Sequence, residues 1–283
     1  MLGTPRKPLQ NCCICGKKAF SNKSQYCRTC SHFSHRMTNE KFPPKIVNAI
    51  WDYIRKYGYR CYYTGMLLVM DDDTSPWYCS FDHWNPGDPR KVVITSALLN
   101  AMKTDLSVKE FWYYVLQLFD FRKKHTKIRK RKPVFWDRLV APVIPAKAGI
   151  HRNCPICGRP RLPHHEYCPR CAKFGSRMKS KFPKQASRAI WDYIRKNGYV
   201  CYYTGMRLDL DNPKSPWYLV FDHWRPGDPR KVVITSSLLN DMKSDMTEGE
   251  FWYFIGQLAN FRRKGTKVRK IKLRYWSRPY TPQ

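Results

Sequence analysis

Residues 77–105 read WYCSFDHWNPGDPRKVVITSALLNAMKTD, and residues 217–245 read WYLVFDHWRPGDPRKVVITSSLLNDMKSD. In each copy an apolar run delivers an Asp-His pair, Asp82-His83 or Asp222-His223. A turn follows at Pro86-Gly87-Asp88-Pro89 and at its counterpart, where Gly and Pro supply the φ values of a tight reversal. Next come a β-branched run, Lys91-Val92-Val93-Ile94-Thr95 in the first copy, and a helical segment carrying Asn100 and Lys103, or Asn240 and Lys243. Two short strands and a helix would gather an Asp, a His and an Asn into one small site. Such a set suits a divalent cation with a general base beside it.

The bulk composition bounds what this site could serve. A length of 283 residues leads to an expectation of about two domains. With 42% hydrophobic and 15% aromatic residues, the chain can bury a core. The 53 Lys and Arg outnumber the 21 Asp and Glu, for a net charge of +32. A field of that sign attracts polyanions and displaces counterions from a phosphate backbone, so nucleic acid is the expected partner. No apolar run nears the roughly 18 residues of a membrane span, and residues Met1 to Pro8 lack the apolar core of a signal peptide. An intracellular protein is expected, without a membrane partner. The twelve cysteines then read as metal ligands before disulfides.

The whole chain repeats. Asp222 follows Asp82, and Asn240 follows Asn100, by 140 residues, with small length changes nearer the N-terminus. The expected organisation is a first unit over 11–139, a proline-containing linker over 140–152, and a second unit over 153–283. Each unit opens on paired cysteines: Cys12, Cys15, Cys27 and Cys30 in the first, and Cys154, Cys157, Cys168 and Cys171 in the second. Thiolates two residues apart on a tight turn can face one tetrahedral ion, and two such knuckles close a structural zinc ribbon. Cys13 has no equivalent in the second unit, while Cys61, Cys201 and Cys79 read as core thiols.

A helix is expected around the stripe Ile46, Ala49, Ile50, Tyr53 and Ile54, with Pro44 at its start and Gly58 just past its end. Another starts at Ser107 with Glu110 three residues on, the pattern of a capping box, and Thr247 with Glu250 repeats it. Basic residues follow at matching places. Arg90 and Lys91 with Arg230 and Lys231 lie in the turn. Arg122, Lys123, Lys124, Lys127, Arg129 and Lys130 end the first unit. Arg262, Arg263, Lys264, Lys267, Arg269 and Lys270 sit near the end of the second. Runs of this kind contact backbone phosphates more than bases.

The Asp-His pair, the strand-turn-strand spacing and the Asn-x-x-Lys of the next helix together resemble the HNH nucleases of the ββα-metal superfamily. The resemblance spans roughly residues 58–120 and 198–260. It implies an α+β fold, two tandem ββα-metal modules each preceded by a four-cysteine ribbon, forming an intramolecular pseudo-dimer. It implies His83 and His223 as general bases, and Asp82, Asn100, Asp222 and Asn240 as ligands of Mg²⁺ or Mn²⁺. Lys103 and Lys243 match a frequent family lysine, for which phosphate contact and a structural role are both open. The family's middle Asn is absent, Asp88-Pro89-Arg90-Lys91 standing in that region. The activity so implied is metal-dependent cleavage of double-stranded DNA, site-specific, one site per strand, by a monomer. A nonspecific or RNA-directed nuclease, and a non-catalytic zinc-dependent nucleic-acid-binding protein, are the competing readings.

Overall fold

The computed structural model describes residues 10–21, 24–86, 88–124, 153–156, 159, 161, 165–226, 228–270 and 272–274. Its elements are α1 (Arg28–Asn39), α2 (Pro44–Tyr57), β1 (Cys79–His83), β2 (Val92–Ser96), α3 (Ala97–Lys103) and α4 (Val108–Lys124), then α5 (Pro169–Lys181), α6 (Lys184–Asn197), β3 (Leu219–His223), β4 (Val232–Ser236), α7 (Ser237–Lys243) and α8 (Glu248–Lys264). The fold is mixed α+β, with two small antiparallel sheets. Strand β1 pairs with β2, and β3 with β4, so that Asp82 lies opposite Val93 and Asp222 opposite Val233.

The chain forms two compact units. One comprises the described residues of Met1–Ala101 with Asn260–Lys270; the other comprises those of Met102–Ala259 with 272–274. Helix α4 follows the first Asp-His copy in sequence, yet it belongs to the second unit. There Tyr114 meets Trp217 edge-on, with ring centroids 5.6 Å apart.

In the first unit the core gathers on Phe33 of α1. Its ring centroid lies 5.5 Å from that of Trp51, 5.4 Å from Tyr59 and 5.2 Å from Phe81 of β1. In the second unit Phe174 plays the same part, at 5.3 Å from Trp191, 5.6 Å from Tyr199 and 5.3 Å from Phe221. Edge-to-face aromatic packing of this kind fixes orientation as well as burying area. Arg36 of α1 donates from its guanidinium to the Cys79 carbonyl at 2.7 Å, and the group lies over the Tyr78 ring. The first helix is thereby fastened to the strand that carries Asp82.

The helical punctuation follows the chain chemistry. Pro44 opens α2, where a missing N–H costs nothing, and Gly58 closes it at φ +71°. At α4, the Glu110 carboxylate accepts from the Ser107 backbone N–H at 2.8 Å, and Thr247 and Glu250 repeat this at 2.7 Å.

One departure concerns the second cysteine pair, for which the sequence leads to a ribbon turn. Cys27 instead caps α1, its sulfur accepting from the Cys30 N–H, and Cys168 caps α5 in the same way. A helix N-terminus offers thiolates both N–H donors and a favourable dipole. The signal was present in Cys30, Phe33 and Met37, which recur at helical spacing and are all buried.

Candidate metal centres and the Asp-His strand

In the first unit, the sulfurs of Cys12, Cys15, Cys27 and Cys30 all lie within 4.8 Å of one another. A tetrahedral zinc with Zn–S bonds near 2.3 Å needs sulfurs about 3.8 Å apart, so the four fit one ion. Cys15 and Cys27 already approach to 3.5 Å. Gly16 turns the first knuckle at φ +72°, where its N–H reaches the Cys12 carbonyl at 3.0 Å. Burial pushes the Cys30 thiol up. It pushes Cys12 up too, but the N–H groups of Cys15, Cys27 and Ile14 outweigh it and bring Cys12 down to about 6. The Tyr59 hydroxyl donates to the Cys30 sulfur at 3.1 Å, tying the cluster to the segment ahead of the Asp-His strand.

In the second unit the sulfurs of Cys154, Cys168 and Cys171 cluster equally, with the Tyr199 hydroxyl 3.0 Å from Cys171. Cys157, the fourth expected ligand, lies outside the described residues. These clusters can hold zinc. Cys13 is exposed, whereas Cys61, Cys79 and Cys201 are fully buried among core atoms, with the Cys79 thiol raised to about 12 by burial.

The second chemical locus is the end of the hairpin. Asp82 and Asp222 are each 5% exposed, and the histidines beside them are half-buried. Tyr63 donates its hydroxyl to Asp82, and Tyr203 donates to Asp222 at 2.5 Å. Tyr63 and Tyr203 lie in the matching Cys-Tyr-Tyr-Thr-Gly segments at 61–65 and 201–205.

The other oxygen of Asp222 accepts from the Lys243 ammonium at 3.1 Å, and the same ammonium reaches the His223 carbonyl at 3.1 Å. Burial pushes Asp222 above the usual carboxylate range, opposed by Lys243 and by the Tyr203 hydroxyl. Lys243 is therefore inside the protein, holding the strand end that carries His223. Lys103 is as deeply buried, at 1% exposure. A carboxylate offers about four lone-pair positions, so two occupied ones leave room for a cation.

Asn100 projects back from α3 onto β1, donating to the Ser80 hydroxyl at 3.0 Å and to the Phe81 carbonyl at 3.2 Å. The hairpin and helix thus bring Asn100 beside the strand of Asp82. Position 220, where the second copy has Val, lacks the hydroxyl that Asn100 uses at Ser80. In both copies the Asn is half-buried.

Asp88 is occupied within its own turn. It accepts from the Arg90 backbone N–H at 3.0 Å and from the Arg90 Nε at 2.8 Å, and Arg90 holds its carboxyl below the usual range. The hairpin end is closed by the backbone, the Trp84 N–H donating to the Lys91 carbonyl at 2.9 Å. Lys91 sits 3.6 Å from the centroid of Trp84, whose ring also packs on Tyr62. A cation on an aromatic face thus closes the hairpin one residue past His83.

Among the described residues, the cysteine clusters are the groups of three or more His, Cys, Asp or Glu that could share an ion; the Asp-His pairs contribute two such side chains each. Arg90, Lys91, Arg122, Lys123, Lys124, Arg230, Lys231, Arg262, Arg263, Lys264, Lys267, Arg269 and Lys270 are all exposed. Lys127, Arg129 and Lys130 lie outside the described residues. No described helix is long and apolar enough to cross a membrane. Comparison with family models, with curated proteins and with solved structures returned no match to this chain.

Proposed function

We propose that the protein is a metal-dependent DNA endonuclease of the HNH type, with the two Asp-His strands as its cutting sites. The observation that carries this reading is Asn100, whose amide reaches from α3 onto the Phe81 carbonyl, next to Asp82-His83, in a strand-turn-strand-helix order. Phosphodiester hydrolysis needs a water nucleophile, charge relief on phosphate and help for the leaving oxygen. A half-buried imidazole at His83 or His223 can take the water's proton. Oxygens of Asp82 and Asn100, or Asp222 and Asn240, would hold Mg²⁺, an ion that keeps several waters and asks for few protein ligands. That ion would supply charge stabilisation at the phosphate. Lys243 and Tyr203 position the Asp222 carboxylate and the His223 backbone from inside.

The net charge of +32 supports a polyanionic substrate. In this reading two sites in one chain act as an intramolecular pseudo-dimer on the two strands of near-palindromic duplex DNA, as half-site geometry mirrors protein symmetry. A second reading is favoured by the internal partners of Asp222: a carboxylate neutralised by buried Lys243 also suits a structural role in a zinc-dependent binding protein.

The test is plasmid conversion in Mg²⁺, with wild type, His83→Ala, His223→Ala and the double variant. Linear product from wild type, nicked circles from each single variant and no cleavage from the double variant are expected. A random-site duplex library in Mn²⁺ covers a plasmid lacking the target. Tight binding with no cut in that library would leave the binding protein and remove the enzyme.

A further inference from the structure

The helices α5 and α6 enclose a groove of about 640 Å³ in the second unit, within the size range of ligand pockets. Its cations are Lys179, Lys184, Arg188 and Arg195, and its walls include Trp191 and Phe182. Arg195 is shared with Asp192 at 2.7 Å. Lys179, Lys184 and Arg188 have no ion-pair partner among the described residues. At the floor, the Ser187 hydroxyl oxygen is buried and makes no hydrogen bond within the described protein. Such an oxygen is uncommon unless a ligand or water completes it.

The first copy of the sequence keeps the aromatic residues and the Arg–Asp pair, as Phe42, Trp51 and Arg55 with Asp52, but lacks the other four residues. Thr38 stands for Lys179, Pro44 for Lys184, Val47 for Ser187 and Asn48 for Arg188. The aromatic wall differs too: Trp51 is 5% exposed, whereas Trp191 is half-buried. Tyr167 stacks on Trp191 at 5.9 Å and Phe174 meets it edge-on, so the remaining ring surface faces the groove. Four changes in one copy alone place three cations and a hydroxyl donor beside a Trp that is more exposed there than in the other copy.

We propose that this groove binds an unpaired segment of nucleic acid, with phosphates on Lys179, Lys184 and Arg188, Ser187 donating to a phosphate oxygen, and one unstacked base against Trp191. Base–aromatic stacking combined with backbone cations is how single strands are held without sequence preference. The charge of the whole chain favours a strand over a free nucleotide. The inference rests on the nucleic-acid part of the proposed function and is independent of cleavage.

The test uses the full zinc-loaded chain and a twelve-nucleotide single-stranded DNA carrying one 5-iodouracil. Irradiation followed by peptide mass spectrometry should place the crosslink on Trp191 and not on Trp51. The variant K179T/S187V/R188N takes its residues from the first copy, which keeps both helices on side chains this fold already carries. It should lose the crosslink, bind about tenfold more weakly, and show a log–log salt slope shallower by about one to two. Affinity and slope equal to wild type in a variant with the wild-type far-ultraviolet spectrum would overturn the site. Crosslinks spread over other aromatics with Trp191 unmodified would overturn it too, as would displacement of the strand by micromolar free nucleotide. Absence of DNA cleavage alters none of these readouts, so the two readings fail separately.

Discussion

Replacing Lys243 by Met isolates the most exacting electrostatic arrangement in the structure. The lysine and Asp222 side chains are 1% and 6% exposed, with Nζ 3.1 Å from the carboxylate. Removing one partner of such a pair leaves an uncompensated buried charge and costs about 3–5 kcal/mol. Asp222 has one escape, which is to take a proton. Protonating a carboxyl of ordinary pKa near 3.9 costs about 4.2 kcal/mol at pH 7 and about 1.5 kcal/mol at pH 5, at 1.36 kcal/mol per unit. That sets a ceiling on the penalty, and the ceiling falls with pH.

The sign follows from burial, which already raises Asp222 in the presence of the lysine. Without the lysine it rises further, so the variant regains stability as pH falls and loses it as pH rises. Urea unfolding of both zinc-loaded proteins in magnesium-free buffer should show a deficit of about 4 kcal/mol at pH 7, shrinking to about 1.5 kcal/mol at pH 5. Effects common to both proteins, such as weaker zinc binding in acid, cancel in the difference. Adding Asp222→Asn should restore most of the loss at pH 7. A deficit below about 1 kcal/mol, or one equal at both pH values, would refute the buried pair.

Native mass spectrometry should find two zinc ions per chain, falling to one in Cys30→Ser, with chelation lowering thermal stability because the bound ion is linked to folding. Burial holds the hydroxyls of Tyr53 and Tyr193 up to about 12, and raises Tyr59, Tyr63 and Tyr203 further still. These groups, raised above their unfolded values near 10, contribute stability that is present below pH 10 and lost above it. Absorbance at 295 nm should show them titrating late, and the unfolding free energy should decline between pH 10 and 12.

Much of this protein was legible before any coordinates. Apolar periodicity placed α2, where Ile46, Ile50 and Ile54 are buried, and the Ser107–Glu110 pattern placed the start of α4. Alternating punctuation placed the Asp-His hairpin and Asn100's helix, and C-x-x-C spacing placed the cysteine clusters. These are local properties: period, cap chemistry and ligand spacing act over a few residues, so a linear string records them. Tertiary structure decided the rest. Nothing near Lys243 in sequence says that its ammonium turns inward to Asp222, twenty-one residues back, or that Tyr203 supplies the second hydrogen bond. The apolar spacing of Phe111, Tyr114, Val115 and Leu118 declares that α4 must be buried but not against which partner, and Tyr114 finds Trp217 more than one hundred residues on. Burial chooses among chemically equivalent faces by shape and by the pairing of every polar group it covers, and that choice exists only in three dimensions.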